Sequence, residues 1–575
     1  MSPARREPAP GGGRPGFSRG ERALCAAVLG SAALGVSFWL AGGLSALLSG
    51  RRWPPVPLRE APSLLLGVLG HPRAPRLGWP ASARADVPGA VLFYASLALL
   101  WLLLACAATG LRRLWGASAR RRGGGRRPGS GGAGAGGRGG GWAARRELSP
   151  LEVRRAGGGR LVLGRAGGRL VACERGQSLL VVGPTQSGKT SGLAIPALLE
   201  WEGPVLATSV KTDLVRDSHA RRSELGRVHV FDPVGVTPHR GSGWSPLAAS
   251  RTWQGARKVA AGLCGVARAG GLDDASFWYS TAEKLLAPLL FAAASAGRSM
   301  ADVVRWVDTQ ETEEVTTALE LAGVPEALRA AEASFSREER QRSSVYTTAE
   351  TVLAAYADPL VEASCERHEL DPSALLDGGW HTAYLVAPSH EQERLQSVFV
   401  AIVRQVVEEA LTLASRRGRP LEPPLLIVLD EAANVAPLAS LDVLAATAAS
   451  HGVQLVTVWQ DLAQVEARYG ARAPTVVNNH RAKLYCPGIA DPATLEQASR
   501  LIGEEEHAVT STTLDAEGRS STTSSVATRR LAPAETLRCL VPGEAVLLYG
   551  HLPPARLRLR PFYSDPALRR LAARA

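Results

Sequence analysis

The chain has 575 residues, with 66 Lys and Arg against 53 Asp and Glu, a formal net charge of +13. The excess sits in residues 1–150, which hold 21 Arg, no Lys and five acids, so the rest of the chain is slightly acidic at −3 and its basic pI does not make the main body a nucleic-acid binder. The seven cysteines (25, 106, 173, 264, 365, 486 and 539) show no CxxC or metal-ligand spacing, which excludes a disulfide scaffold or zinc module and fits a reducing compartment.

Two long uncharged stretches come first, residues 24–50 and 87–111. A bilayer crossing takes about 20 apolar residues, so the expectation is a membrane anchor over 1–115, with transmembrane helices at about 24–48 and 88–111 and a short external loop at 51–86. A cleaved signal is the weaker alternative, because the first run is long for one and is followed by Arg51-Arg52 instead of a small-residue cleavage site. Five Arg precede the first stretch, six lie in the loop and ten follow the second, which puts both termini in the cytoplasm and makes this a two-pass protein of the cytoplasmic membrane. Residues 116–146 are nearly all Gly, Arg, Ala and Ser and are expected to be a disordered linker. Its Arg side chains suit anionic headgroups, or alternatively an RGG-like contact to single-stranded nucleic acid.

The chemistry starts at Leu179-Leu-Val-Val, an apolar run suited to a buried parallel strand, which leads into Gly183-Pro184-Thr185-Gln186-Ser187-Gly188-Lys189-Thr190 and a helical stretch. This is the phosphate-binding pattern G-x-x-x-x-G-K-[ST] with a strand before it and a helix after it. The glycines let backbone N–H groups close around phosphate oxygens at a helix N-terminus. Lys189 reaches the β- and γ-phosphates of ATP, and the Thr190 hydroxyl ligates Mg²⁺.

A second apolar run, Leu425–Leu429, ends in Asp430-Glu431. Asp430 is the expected water-mediated Mg²⁺ partner, and Glu431 the group that polarises the attacking water. A third strand, Val453–Trp459, ends in Gln460, where RecA-like motors place a γ-phosphate sensor; the plainer alternative is a Gln that starts the next helix. Further strands are expected at 205–209, 228–232, 383–387, 482–486 and 545–550, and a short hairpin at 160–173. The fold expected is an α/β, RecA-like P-loop ATPase domain over 147–251 and 377–575. An all-α domain is inserted at 252–376, where helical periodicity runs without a strand. The Ser/Thr-rich stretch 509–526 is read as a mobile loop. Lys211 and Asp213 follow a strand end beside the P-loop and suit either phosphate or neighbouring-subunit contacts or a helix cap. No His is assigned to a metal.

Taken together these motifs resemble the type IV coupling proteins, the membrane-anchored ATPases of conjugative DNA transfer and type IV secretion. The residues that carry the resemblance are Gly183–Thr190, Ser209-Val-Lys211-Thr-Asp213, Phe231-Asp232-Pro233, Trp244-Ser-Pro246-Leu247, Asp430-Glu431, Gln460 and Arg468-Tyr-Gly470. The Ala-, Gly- and Arg-rich composition fits an actinobacterial type. The resemblance implies a homohexameric ring on a membrane stem that uses ATP and Mg²⁺ to pump DNA toward a secretion channel. Its implied partners are DNA (single-stranded and bound without sequence preference), a relaxase or other secreted substrate, channel components and the lipid bilayer. Alternatives are a coupling ATPase for protein effectors only, or a non-motor adaptor that binds nucleotide to assemble. One departure bears on catalysis. Family members often place an Arg just before the Gly that opens the Gln-bearing strand, whereas here the stretch is Ala448-Ala-Ser-His451-Gly452. Arg468 and Arg481 are the remaining candidates for a trans-acting finger, each also readable as structural.

Overall fold

The computed structural model describes residues 19–102, 141–268, 275–435, 437–514 and 520–573, with side chains left out at 19–33, 266–268, 275–276, 507–514 and 520–526. Two compact units emerge, Met1–Ala135 and Gly136–Ala575.

In the first unit, helix Arg19–Leu48 covers the first expected span, and residues 90–102 are helical where the second begins. Among the described residues no helix is long and apolar enough to cross a membrane. Side chains before residue 34, and all of 103–111, lie outside the described residues. The stretch 51–86, expected as a short loop, is folded. Turns Leu58–Glu60 and Pro75–Gly78 flank a helix at Ala61–Gly70 whose Ala61, Leu64, Leu65 and Val68 are buried. Gly67 and Gly78 allow helix and turn to meet backbone to backbone, since a Cβ on Gly67 would sit 2.5 Å from Gly78 O. Trp39 Nε1 donates to Val56 O at 2.8 Å and fastens the segment to the first helix.

The second unit is built on a twelve-stranded sheet. Its strands are β1 (Glu152–Val153), β2 (Val162–Ala166), β3 (Arg169–Ala172), β4 (Leu179–Val182), β5 (Val205–Ser209), β6 (Val228–Phe231), β7 (Thr382–Val386), β8 (Leu425–Leu429), β9 (Val453–Trp459) and β10 (Ala482–Tyr485). A separate hairpin, β11 (Glu504–Leu514) and β12 (Ser520–Arg530), interrupts them, and β13 (Glu544–Tyr549) and β14 (Ala555–Arg558) complete the sheet. The order is β1-β3-β2-β14-β13-β10-β4-β9-β8-β5-β7-β6. From β10 to β6 every pairing is parallel. In β4, β5, β7, β8 and β9 every residue is buried, as strands covered on both faces require. The strand expected at 545–550 is antiparallel to β10, so the sheet is mixed, with its remaining pairings antiparallel.

Helices fill the interval between β6 and β7. The 21-residue helix Ala275–Ser295 is its centre and packs against Trp253–Arg268, Glu313–Ala322, Pro325–Phe335 and Glu339–Leu353. Its core is not separate, because Leu285, Leu289 and Trp306 belong to the same buried cluster as Phe231, Trp244, Phe399 and Ile427 on one face of the sheet.

Two expectations are corrected. The Ser/Thr-rich stretch is not a loop, because β11 and β12 pair antiparallel in unbroken register from Glu504↔Arg530 to Leu514↔Ser520; Thr, Ser and Val favour extended backbone, and polarity alone does not imply a loop. The linker also ends earlier than 146. Trp142 packs against the main core under the Arg556 guanidinium (4.5 Å to the ring), and Ala143 N donates to Pro554 O at 2.8 Å. Residues 116–140 lie outside the described residues.

Candidate nucleotide site

The P-loop leaves β4 at its C-terminal end. Gly183 N donates to Trp459 O at 3.0 Å, so the loop starts as a continuation of the β4–β9 ladder. A Cβ on Gly183 would lie 2.7 Å from Cys486 Cβ and 2.8 Å from Ser187 Oγ, and Gly188 sits at φ +86°, so both positions demand glycine. Gln186 also takes a left-handed φ of +64°. Lys189 is 9 % exposed and folds back over the loop, donating to Gly183 O, to Pro184 O at 2.6 Å and to Ser187 Oγ at 3.4 Å. Those carbonyls hold the ammonium where phosphate oxygens would otherwise take it.

The helix after the loop opens as a wide π-type turn over Thr190–Ala194 before turning α over Ile195–Glu200. Pro196 accounts for this: it has no N–H for the Gly192 carbonyl four residues back. The freed carbonyls are taken by the C-terminal segment. Arg560 N donates to Gly192 O at 3.4 Å and Phe562 N to Ser191 O at 3.0 Å. Leu559 packs under Gly188 and Gly192. The Arg560 side chain grips the other end of the helix, with a bidentate pair to Glu200 at 2.9 and 2.8 Å and Nε on Asp565 at 3.0 Å. Nothing in the sequence flagged this brace, which spans some 360 residues.

Asp430 ends β8, and the order β4-β9-β8 sets it one strand away from the P-loop strand, with the Gln460-bearing strand between. Thr190 Oγ1 donates to Asp430 Oδ2 at 3.3 Å, so the two expected Mg²⁺ ligands meet. Asp430 is 7 % exposed and its carboxyl is pushed up to about 6, first by burial and then by the charges of Asp213 and Glu431. Burial pulls the Lys189 ammonium below the ordinary lysine range, while Asp430 and Glu431 work against that shift. A buried carboxylate beside further acids and a single buried ammonium favours a bound cation. Thr190 and Asp430 therefore fit Mg²⁺, and the cradle of Gly183, Gly188 and Lys189 fits a polyphosphate.

Glu431 stands at φ +54°, a left-handed conformation that costs a non-glycine residue about 1–3 kcal/mol. It reverses the chain so that Ala432 N reaches Val458 O at 3.1 Å, and Asn434 N and Val435 N reach Glu431 O at 3.0 and 3.2 Å. The loop beyond is held by Gln396 Nε2 on Asn434 O at 2.8 Å and by Tyr469 Oη on Leu438 O at 3.0 Å. Gln460 follows β9 directly beside Gly183, and its backbone N donates to Gln464 Oε1 at 3.0 Å. Neither Lys211 nor Asp213 caps the next helix, whose N-cap is Thr212 with no side-chain capping bond. Asp213 opens helix Asp213–Leu225, with Oδ1 accepting from Leu214 N at 2.9 Å, yet it lies close enough to act on Asp430 through its charge.

Other motif residues have structural roles. Asp232 accepts from Gly235 N at 2.9 Å and Thr237 N at 2.6 Å, closing a turn, and Trp244 is buried with Nε1 on Gln405 Oε1 at 2.9 Å. Of the two finger candidates, Arg481 is engaged within its own chain, 3.3 Å from Glu174 and over the Tyr549 ring. Arg468 is half-buried on helix Leu462–Tyr469, and its guanidinium is drawn below the ordinary arginine range by that burial. Cys486, a buried thiol pushed up to about 12 by desolvation, had no legible role among the seven cysteines; only the β10–β4 register, which pairs Tyr485 with Val182, places it under Gly183. Among the described residues there is no cluster of three or more His, Cys, Asp or Glu side chains able to hold a metal.

A parallel sheet core with a phosphate loop, a part-buried Thr–Asp pair and an intervening strand followed by Gln defines a nucleotide-binding P-loop domain of the ATPase type. The profile of the type IV secretory system conjugative DNA transfer family matches residues 153–574, and the chain belongs to that family. It is 27 % identical over 368 residues to the conjugal transfer protein TraG of Escherichia coli, covering 57 % of this chain and 55 % of TraG. It is 26 % identical over 411 residues to VirD4 of Rhizobium rhizogenes, covering 68 % and 59 %. The chain thus spans little more than half the length of the curated relatives it matches. In fold it is similar to the bacterial conjugative coupling protein TrwB, with a TM-score of 0.59 at 21 % identity, covering 75 % of this chain and 95 % of that one. TrwB has also been solved with ADP and Mg²⁺.

Proposed function

We propose that this protein is a membrane-anchored, ATP-driven translocase that delivers DNA, or a relaxase–DNA complex, to a conjugation or type IV secretion channel. The observation that carries the reading is the Thr190–Asp430 contact at 3.3 Å beneath a phosphate loop whose Lys189 is held in place, in a chain of the conjugative DNA transfer family. Lys189 and the loop amides would bind and orient the ATP β- and γ-phosphates. Glu431 would take a proton from the attacking water, and Gln460, between the two halves of the site, would report the state of the γ-phosphate to β9. Thr190 and Asp430 would hold Mg²⁺, which when bound neutralises phosphate charge. Two uncharged stretches of 27 and 25 residues and the arginine distribution support a two-pass anchor with the ATPase body in the cytoplasm. A homohexameric ring and sequence-tolerant binding of single-stranded DNA complete the reading.

The test is ATP hydrolysis by the full chain in lipid discs, with and without single- and double-stranded DNA, beside Lys189→Ala and Glu431→Gln. DNA-stimulated turnover that both substitutions abolish is the expected result, and the more effective form of DNA names the cargo. Turnover indifferent to DNA would transfer the reading to protein effectors. ATP binding and assembly without turnover would leave a non-motor adaptor, the reading favoured by the absence of an Arg before Gly452.

A further inference from the structure

The segment between the two expected spans presents a surface that an external loop in water does not need. Helix Ala61–Gly70 buries Ala61, Leu64, Leu65 and Val68 against its own unit and turns Leu66 and Leu69 outward, 73 % and 60 % exposed. The flanking turns add Leu58 and Leu77, and Trp53 lies just upstream, all exposed. Several large apolar side chains exposed on one small folded element are uncommon in water-facing surfaces and mark an interaction site.

The same segment carries charge of almost one sign. Arg51, Arg52, Arg59, Arg73, Arg76 and Arg84 are exposed, against only Glu60 and Asp86 in the same segment. Arg51 and Arg84 turn to backbone carbonyls of Ala85, Val87, Trp79 and Leu77. Among the described residues no ion pair involves any of the six. Leu58 adjoins Arg59, Leu77 adjoins Arg76, and Arg73 lies four residues beyond Leu69.

We propose that segment 51–86 lies in the interface of the lipid bilayer, with Leu58, Leu66, Leu69 and Leu77 in the acyl boundary and the arginines on anionic headgroups. The inference rests on the two-span anchor proposed above. Apolar side chains beside guanidinium groups are the composition that interfacial segments use, because the boundary offers hydrocarbon and phosphate within a few ångströms of each other. A second copy of the chain is a poorer occupant. Apposing two such faces brings like charges together with almost no carboxylates to pair them, whereas anionic headgroups supply the missing charge.

The test labels intact cells that make the full chain with a membrane-impermeant maleimide. The wild-type chain provides the blank, since its cysteines fall in the expected spans or in the body proposed to be cytoplasmic. Arg73→Cys is expected to label, and Leu66→Cys and Leu69→Cys at least tenfold less, although both positions are outward in the fold. In reconstituted liposomes of the Cys539→Ser chain, a fluorophore at residue 66 is expected to be quenched several-fold more by nitroxide-bearing lipid than one at residue 73. Equal labelling of all three variants would overturn the proposal and leave the two-span anchor standing. Protection without lipid quenching would overturn it in favour of a protein partner. No labelling of Arg73→Cys from outside, with labelling from the cytoplasmic side, would overturn the anchor and the proposal with it.

Discussion

The helix that follows the P-loop has a charge cluster at each end, and the two are built on opposite principles. At its C-terminal end, Glu200 meets Arg560, which also holds Asp565, which in turn accepts from Arg165 at 3.1 Å. Every charge there has a partner, and its neighbours hold Asp565 well below the ordinary carboxylate range, at about 2. At the N-terminal end, Asp430 is pushed the other way, up to about 6, with Asp213 and Glu431 adding to the push. One cluster is neutralised from within the chain and holds the fold. The other is left short of positive charge, which is how a site that is to receive a cation with its nucleotide must be left.

The comparison can be broken in four places. Removing Arg560 should have the largest effect on folding: Arg560→Ala leaves Glu200 without an ion-pair partner and Asp565 with only Arg165, and should cost about 3–5 kcal/mol in urea unfolding. A loss under about 1 kcal/mol would show that the cluster does not carry the fold. Glu431→Gln should lower ATP turnover on the order of 10²- to 10³-fold while nucleotide binding and the urea midpoint stay near wild type, as expected for loss of a base that acts only on water. Leu559→Ala should cost about 2–3 kcal/mol and raise the KM for ATP, because it removes the packing under Gly188 and Gly192; a stability loss with unchanged KM would separate the brace from the site. The last change, at Asp430, should raise stability instead of lowering it. Its folded pKa of about 6 lies above the usual 3.8, so between those values the native state binds more protons than the unfolded chain and stability falls as pH rises. Asp430→Asn should therefore stabilise the nucleotide-free protein by on the order of 2 kcal/mol at pH 7.5. The gain should vanish near pH 4, while turnover is lost at every pH. Destabilisation at pH 7.5 would mean that Lys189 and Thr190 outweigh the cost of burial.

What could be read in the chain and what could not follow the same division. Gly183–Thr190, Asp430 and Glu431 were legible because phosphate and Mg²⁺ chemistry fixes residue types at fixed short spacing. The buried strands were legible because a run such as Leu425–Leu429 has no polar face to show water. The helical character of the insertion was legible from its period, although the sharing of its core with the sheet was not. The Ser/Thr-rich hairpin was missed because a polar strand and a loop have the same composition. The folded segment 51–86 was missed because its length alone suggested a connection.

By itself the sequence determined the nucleotide chemistry, the parallel core and the family, all of which depend on local order along the chain. Only the tertiary structure decided that β9 lies between the two halves of the site, that Cys486 seats Gly183, and that residues 559–565 brace the P-loop helix at both ends. Those contacts join residues tens to hundreds of positions apart, and the energy that selects them comes from close packing and from pairing buried polar groups. Neither leaves a mark on the residues until the chain has folded.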